Sequence, residues 1–156
     1  PAEELLAEVR ERFMAVVDTE VAPSPGLLVL LDHLRRRAIP AAVATSSRRA
    51  YAERLLTGHA IRDRFAFVLG SEDVQNGKPD PEIYLKASAR LGKEPKSVLV
   101  LEDSRAGVDA ARAAGAYVVG VPHEHSPADG LYRADLIVPR LDDAALLARL
   151  DRSEAA

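Results

Sequence analysis

Short apolar runs alternate with longer amphipathic stretches along most of this chain of 156 residues. Runs of this length, separated by segments with helical periodicity, are typical of parallel strands joined by right-handed helical crossovers. The pattern therefore predicts an α/β fold with helices on both faces of a parallel sheet. The predicted strands are Ile39–Ala44, Phe65–Leu69, Val98–Leu101, Tyr117–Val121 and Asp135–Val138. The predicted helices are Ala2–Asp18, Leu27 to about Arg37, Arg48 to Leu56, a segment ending at Leu91, a segment following Ser104, and Asp142–Leu150.

The stretch from Ser97 to Gly120 organises the rest of the chain. Val98–Leu101 has no polar position, which predicts a central strand covered on both faces. Glu102 and Asp103 follow directly, Ser104 can cap the next helix, and Gly115 suits the left-handed position that ends it. Ligands of open α/β sheets bind at the carboxyl ends of strands. The acid pair is therefore either a polar strand end that caps a helix or a Mg²⁺ site made of carboxylate oxygens.

Composition excludes several classes of protein. The net charge of −3 gives no reason to propose nucleic acid or an anionic membrane as a partner. The chain has no cysteine, which excludes disulfide scaffolds and thiolate metal sites and is compatible with the cytoplasm, the location we predict. No apolar run is long enough to cross a bilayer. The oligomeric state stays open.

A second polar cluster, Thr45-Ser46-Ser47-Arg48-Arg49, follows the first predicted strand. Hydroxyls and unpaired N–H groups at a helix N-terminus bind anions, and nearby arginines strengthen such a site. The alternative is simple capping of the helix by a serine.

The third cluster is a loop with the sequence Gly77-Lys78-Pro79-Asp80-Pro81. A lysine between glycine and proline could neutralise a phosphate, or it could be a surface lysine beside a helix start. The loop is not a Walker A motif, because the glycine spacing is wrong and neither Ser nor Thr follows the lysine. Together, the hydroxyls, the lysine and the acid pair are the groups that phosphoryl transfer requires, since its catalysis is mostly positioning and charge stabilisation.

These motifs resemble those of the haloacid dehalogenase (HAD) superfamily, in particular its phosphatase and β-phosphoglucomutase-like branch. VATSS is similar to the family's second motif, GKPDPEIY to its third and VLEDSRAGVDAARAAG to its fourth. The resemblance runs from about Pro23 to the last strand. It implies a HAD-like, Rossmann-type fold of three layers, with a parallel sheet and a helical cap.

The resemblance also implies roles for individual residues. Thr45 would form a hydrogen bond with the transferring phosphoryl group, and Ser46 would offer its backbone N–H. Lys78 would bridge the phosphate and the nucleophile. Glu102 and Asp103 would hold Mg²⁺. Arg48 and Arg49 would make further contacts with phosphate. The substrate would be a small phosphorylated metabolite. His123 and His125 lack an obvious third ligand and are not chosen as a metal site.

The first motif of the family is missing from the sequence. That motif is a strand ending in Asp-x-Asp, which supplies the nucleophile and the general acid/base. The chain contains no Asp-x-Asp, and its nearest imitation, Asp18-Thr19-Glu20, follows a predicted helix instead of a strand. Residues 1–18 are similar to the last helix of the cap, so we predict a cap remnant at 1–18 and a HAD-like core at 19–156.

This difference leaves three interpretations open. The chain belongs to a Mg²⁺-dependent phosphatase or phosphomutase whose nucleophilic aspartate lies outside the sequence, or it is a non-catalytic phosphate- or metal-binding module or an inactive fragment. In the family fold, the first-motif strand lies between the strands that end at Thr45 and Glu102. We therefore expect either that an upstream segment of a longer chain is absent from this place in the sheet or that a strand from elsewhere fills it, and direct pairing of these two strands would favour the module.

Overall fold

The computed structural model of the protein describes residues 22–124, 126 and 128–152. The predicted cap remnant, residues 1–18, lies outside the described residues. Strands and helices alternate along the chain as predicted. The helices are α1 (Leu27–Arg36), α2 (Arg49–Gly58), α3 (Glu82–Leu91), α4 (Arg105–Ala114) and α5 (Ala144–Asp151). The strands are β1 (Val43–Ala44), β2 (Val68–Leu69), β3 (Leu99–Glu102), β4 (Tyr117–Gly120) and β5 (Leu136–Ile137).

The strands form two separate parallel sheets, β1–β2 and β3–β4–β5. Among the described residues, β1 and β3 do not pair with each other. The break thus lies where the resemblance to the HAD family predicts another strand, and the direct pairing that would have favoured a non-catalytic module is not observed among the described strands.

The first strand is shorter than its apolar pattern predicts. Parallel backbone hydrogen bonds link the two segments from Ala41, whose carbonyl accepts from Ala66, to Thr45, whose N–H donates to Leu69. Pro40 has no N–H to donate, and the N–H of Ile39 closes the end of α1 by donating to Leu34. The apolar run therefore continues back into the turn that ends the helix.

Two hydrophobic clusters cover the sheets from opposite sides. The first contains α3 and α4 and includes Val100 and Val118, while the second contains α1 and α5 and includes Val119. Side chains of a strand alternate between faces, so neighbouring residues of β4 enter different clusters. This arrangement is the three-layer architecture that was predicted.

The expectation that both faces of β3 are covered is wrong at one position. Val100 and Glu102 are buried on the face that packs against the first cluster, whereas Leu101 is 36% exposed. Leu101 points to the opposite face, on a strand whose second edge is unpaired among the described strands.

The ends of the helices follow the capping rules. The Ser104 hydroxyl accepts from Gly107 N–H at 3.1 Å, and Gly115 ends α4 with a φ of 84°. Asp143 caps α5 by accepting from Ala145 N–H at 2.8 Å. Across the described residues, no helix has the length and apolar character needed to cross a membrane.

Replacing Asp143 with alanine is expected to lower the free energy of unfolding by about 0.5–2 kcal/mol, because the first turn of α5 loses its side-chain acceptor. Chemical denaturation measures the change. Asp143→Ser keeps an acceptor and should be close to wild type, and equal losses in both variants would contradict a capping role.

Candidate active site

Lys78 joins the carboxyl ends of the two sheets. Its Nζ donates to the carbonyl of Ala44, the last residue of β1, at 3.3 Å. It also donates to Oε1 of Glu102, the last residue of β3. The Lys78 side chain is only 10% exposed. The ammonium group is therefore held at a fixed place between the two strand ends, as expected for a positive charge in an anion-binding site.

The carboxylate of Glu102 is saturated with hydrogen-bond donors. Oε1 accepts from Lys78 and from the hydroxyl of Tyr84, while Oε2 accepts from the N–H of Ser104 at 3.3 Å and from its hydroxyl at 3.0 Å. These four bonds match the roughly four lone-pair positions of a carboxylate. Burial opposes ionisation, but Lys78 and the hydroxyl donors outweigh it and hold the pKa of Glu102 below its usual range.

Gly107, in the first turn of α4, makes room for this carboxylate. A Cβ at position 107 would lie 1.9 Å from Cδ of Glu102 and about as close to both of its oxygens. The Glu102 carboxylate therefore packs directly onto the backbone of Gly107. The small residue at this position serves the acidic group as well as helix packing.

Glu82 holds the loop that carries Lys78. Its carboxylate accepts from the N–H groups of Gln75 and Asn76, at 3.0 and 2.8 Å, and from Nζ of Lys86 at 2.6 Å. The bond from Lys86, followed by the two backbone bonds, lowers the pKa of Glu82 to about 2. The carboxylate is therefore ionised near neutral pH and ties the loop to the first turn of α3.

Thr45 and Ser46 line a cleft beside Lys78. The cleft has a volume of about 240 Å³. Oγ1 of Thr45 accepts from the N–H of Ser47 at 3.1 Å, a bond that orients the hydroxyl and leaves its own hydrogen to donate. The other residues that line the cleft are Ser71, Val74, Gln75, Gly77 and Ile83.

The two arginines of the second cluster do not line this cleft. Arg48 is exposed at the N-cap position of α2. The guanidinium of Arg49 pairs with Asp73 at 3.1 Å, and its N–H donates to both carboxylate oxygens of Glu72 at 3.1 Å. The helix N-terminus that the sequence predicts as an anion site is thus occupied by a carboxylate of the chain itself.

Asp103 is turned to solvent, with a side chain that is 61% exposed. Its Oδ2 lies 3.3 Å from Nε2 of His123, and its backbone carbonyl accepts from the hydroxyl of Ser126. Within residues 22–152, leaving out 125 and 127, no group of three or more His, Asp and Glu side chains could hold a metal ion. Mg²⁺ commonly uses only one or two protein carboxylates together with waters and substrate phosphate. The exposed oxygens of Asp103 fit such a site, whereas Glu102 would have to release a donor to join it.

Tyr84 is not among the candidate site residues predicted from the sequence. Its ring is buried, and its hydroxyl contacts Glu102. Burial, and then the neighbouring Glu102, raise the pKa of Tyr84 far above its ordinary value, so its hydroxyl stays a donor. A tyrosine on a buried helical face was the available signal, because a buried hydroxyl requires a partner.

The comparisons with known proteins agree with the motifs. A family model described as haloacid dehalogenase-like hydrolase matches residues 2–121. Validoxylamine A 7'-phosphate phosphatase of Streptomyces hygroscopicus subsp. limoneus is 37% identical over 142 residues, covering 90% of this chain and 66% of the relative. Beta-phosphoglucomutase of Bacillus subtilis is 35% identical over 122 residues, covering 78% of this chain and 51% of the relative.

The fold also matches solved structures. CbbY from Rhodobacter sphaeroides, determined in complex with phosphate, superposes with a TM-score of 0.84 at 30% identity. The match covers 97% of this chain and 69% of that protein. The chain spans between half and two thirds of the length of the two curated relatives.

Proposed function

The chain belongs to the haloacid dehalogenase-like hydrolases, in the branch that contains phosphatases and β-phosphoglucomutases, and from this premise we propose that it carries most of a Mg²⁺-dependent phosphoryl-transfer site for a small phosphorylated metabolite. The observation that carries the proposal is the position of Lys78. A buried ammonium group, fixed at two strand ends and open to a cleft lined by Thr45 and Ser46, is suited to a phosphate group.

In this proposal, each polar group of the cleft has a separate task. The Thr45 hydroxyl donates to one oxygen of the transferring phosphoryl group, and the backbone N–H of Ser46 donates to another. Lys78 neutralises charge that accumulates in the transition state, while Glu102 keeps its ammonium group in place. Arg48 and Arg49, predicted as phosphate ligands, stand at the rim, and Arg49 would have to leave Asp73 to reach a substrate.

Asp103 would hold Mg²⁺, which screens negative charge on the phosphoryl group when bound. Its exposure and its position at the end of β3 support this role. Glu102 would be a second ligand only if Ser104 or Tyr84 released one of its oxygens.

The nucleophile of the proposed reaction is an aspartate outside the sequence, which would form an aspartyl-phosphate. The break between β1 and β3 supports its delivery on a strand that ends beside Lys78. With it we propose the domain division already given, a cap remnant at 1–18 and a core at 19–156. The cytoplasmic location stays a prediction.

A second candidate is a module that binds phosphate or metal without turnover. The sequence favours it in one respect, because it contains no Asp-x-Asp. Such a module, or an inactive fragment, would show no hydrolysis of any phosphate ester even in a protein that includes all sequence upstream of this chain.

Asp103→Asn tests the proposed function. In the protein that includes this chain and its upstream sequence, we expect Mg²⁺-dependent hydrolysis of p-nitrophenyl phosphate to fall by roughly 100-fold or more, because the metal ligand loses its charge. Calorimetric titration should show weaker Mg²⁺ binding. The unfolding transition should stay unchanged, since the Asp103 side chain is exposed.

Asp63→Asn is the matched control, because Asp63 is an exposed aspartate outside the proposed site. It lines a different cleft, together with Ile39 and Pro40, which precede β1. Unchanged Mg²⁺-dependent turnover in Asp103→Asn would reject the metal assignment. Mg²⁺ and phosphate binding without turnover by the wild-type protein would favour the module.

A further inference from the structure

One side chain, Tyr84 of α3, contacts both members of the Lys78–Glu102 ion pair. Its hydroxyl donates to Oε1 of Glu102, and its ring centroid lies 4.9 Å from Nζ of Lys78. The residue itself is only 6% exposed. A buried tyrosine that meets a carboxylate with its hydroxyl and an ammonium with its ring face constrains both charges at once.

The geometry leaves the ammonium group of Lys78 with one N–H for a substrate. Of its three N–H groups, one donates to Ala44 and one to Oε1 of Glu102. The direction of the third depends on where Oε1 lies, and Oε1 is shared with the hydroxyl of Tyr84. Without that hydroxyl, Oε1 would be free to move away from Lys78 into the space that the hydroxyl leaves, and the ammonium group would lose its fixed direction toward the cleft.

We propose that Tyr84 is a positioning residue, which aims the ammonium group of Lys78 into the cleft by fixing Oε1 of Glu102. This inference rests on the proposed function only in so far as the cleft binds a phosphoryl group. The placement of Lys78 by Tyr84 can be tested without any turnover.

Tyr84→Phe is the test, because phenylalanine keeps the ring against the core and removes only the hydroxyl. In the protein with its upstream sequence, we expect kcat for p-nitrophenyl phosphate to fall about tenfold, since a hydrogen bond to a charged group is lost. KM should change by no more than about twofold, because the substrate still meets the same groups in the ground state. Rates are expressed per folded molecule, determined from the unfolding transition of each variant.

A second measurement follows Lys78 directly. Labelling with an amine-reactive reagent, read by peptide mass spectrometry, should modify Lys78 several-fold faster in Tyr84→Phe than in the wild-type protein. Lys96, which is exposed, is the internal reference and should be labelled at the same rate in both.

Tyr117→Phe is the matched control, since Tyr117 also has a cation over its ring, Arg149 at 4.4 Å, but belongs to the second hydrophobic cluster. We expect this variant to resemble the wild-type protein in both measurements. Unchanged kcat together with unchanged labelling of Lys78 in Tyr84→Phe would overturn the inference. If the wild-type protein hydrolyses no phosphate ester, the proposed function fails, and the labelling still decides the role of Tyr84.

Discussion

Lys78→Met is expected to lower the free energy of unfolding by about 3–5 kcal/mol near neutral pH, because removal of one partner leaves a buried charge without compensation. The Lys78 and Glu102 side chains are 10% and 6% exposed, so water cannot take the place of the ammonium group. Tyr84 and Ser104 would still donate to Glu102, but neither carries a charge. Phosphoryl transfer should fall by roughly 100-fold or more, because the charge that stabilises the transition state is lost.

The loss of unfolding free energy in Lys78→Met should depend on pH, and the pKa of Glu102 determines the direction of this dependence. In the wild-type protein its pKa lies below the ordinary 4.5, so its contribution to stability is present above 4.5 and lost as pH falls through the lowered pKa. In Lys78→Met, burial acts without the lysine, and we expect the pKa to rise above 4.5. The contribution of Glu102 to the stability of the variant should then be most favourable in acid and decline as pH rises through that raised pKa. The two proteins should therefore differ least in acid and most near neutrality.

Lys86→Met is the control for removal of a lysine charge, because Lys86 forms its pair with Glu82 at the surface, where its side chain is 47% exposed. We expect little change in the free energy of unfolding for that variant, since exposed pairs contribute little. Denaturant titrations of the three proteins between acid and neutral pH measure these differences. A destabilisation of Lys78→Met that is independent of pH would contradict the assignment to Glu102.

Gly107→Ala is expected to destabilise the protein, although the same substitution inside a helix usually stabilises. Alanine gains about 0.8–1.0 kcal/mol of helix propensity over glycine. Here the new Cβ would lie 1.9 Å from Cδ of Glu102, so the buried carboxylate must move. Overpacking costs about 1–3 kcal/mol, and the displaced carboxylate also loses bonds to Lys78 and Ser104. We expect a net loss of stability and a fall of at least about tenfold in turnover.

Gly58→Ala separates the gain in helix propensity from the steric conflict with Glu102. Gly58 ends α2, and a Cβ at this position would have no atom of the described residues within 4 Å apart from its chain neighbours and the backbone of its own helix. This variant should be as stable as the wild-type protein or more stable, by up to about 1 kcal/mol. Chemical denaturation and the p-nitrophenyl phosphate assay measure both variants. If Gly107→Ala gained stability as Gly58→Ala does, the Glu102 carboxylate could not be packed against position 107.

The sequence pattern predicted the fold well because the rules that apply are local. Ser104 and Gly115 mark the two ends of α4 through the capping chemistry of their own neighbourhood. The position of Lys78 and Thr45 at strand ends follows from the common direction of parallel strands. The comparisons confirmed the family that these motifs indicate.

Contacts between distant residues could not be predicted in the same way. Nothing in the neighbourhood of Arg49 indicates that its guanidinium pairs with Asp73, or that its N–H is occupied by Glu72. The different surroundings of Glu102 and Asp103 did have a local signal, however. Adjacent residues at a strand end tend to point to opposite faces, and this alternation indicates one buried and one exposed carboxylate, although both were predicted as Mg²⁺ ligands.

The break between the two sheets links assembly of the fold to chemistry. A strand placed between β1 and β3 would gain hydrogen bonds on both of its edges and would join the two sheets into one. Its carboxyl end would arrive beside the ammonium group of Lys78, because that group already bridges the ends of β1 and β3. The residue that such a strand delivers to the cleft would therefore be positioned by the same event that completes the sheet. If that residue is the proposed nucleophile, a molecule whose two sheets are not yet joined would also lack the reactive group and would be inactive.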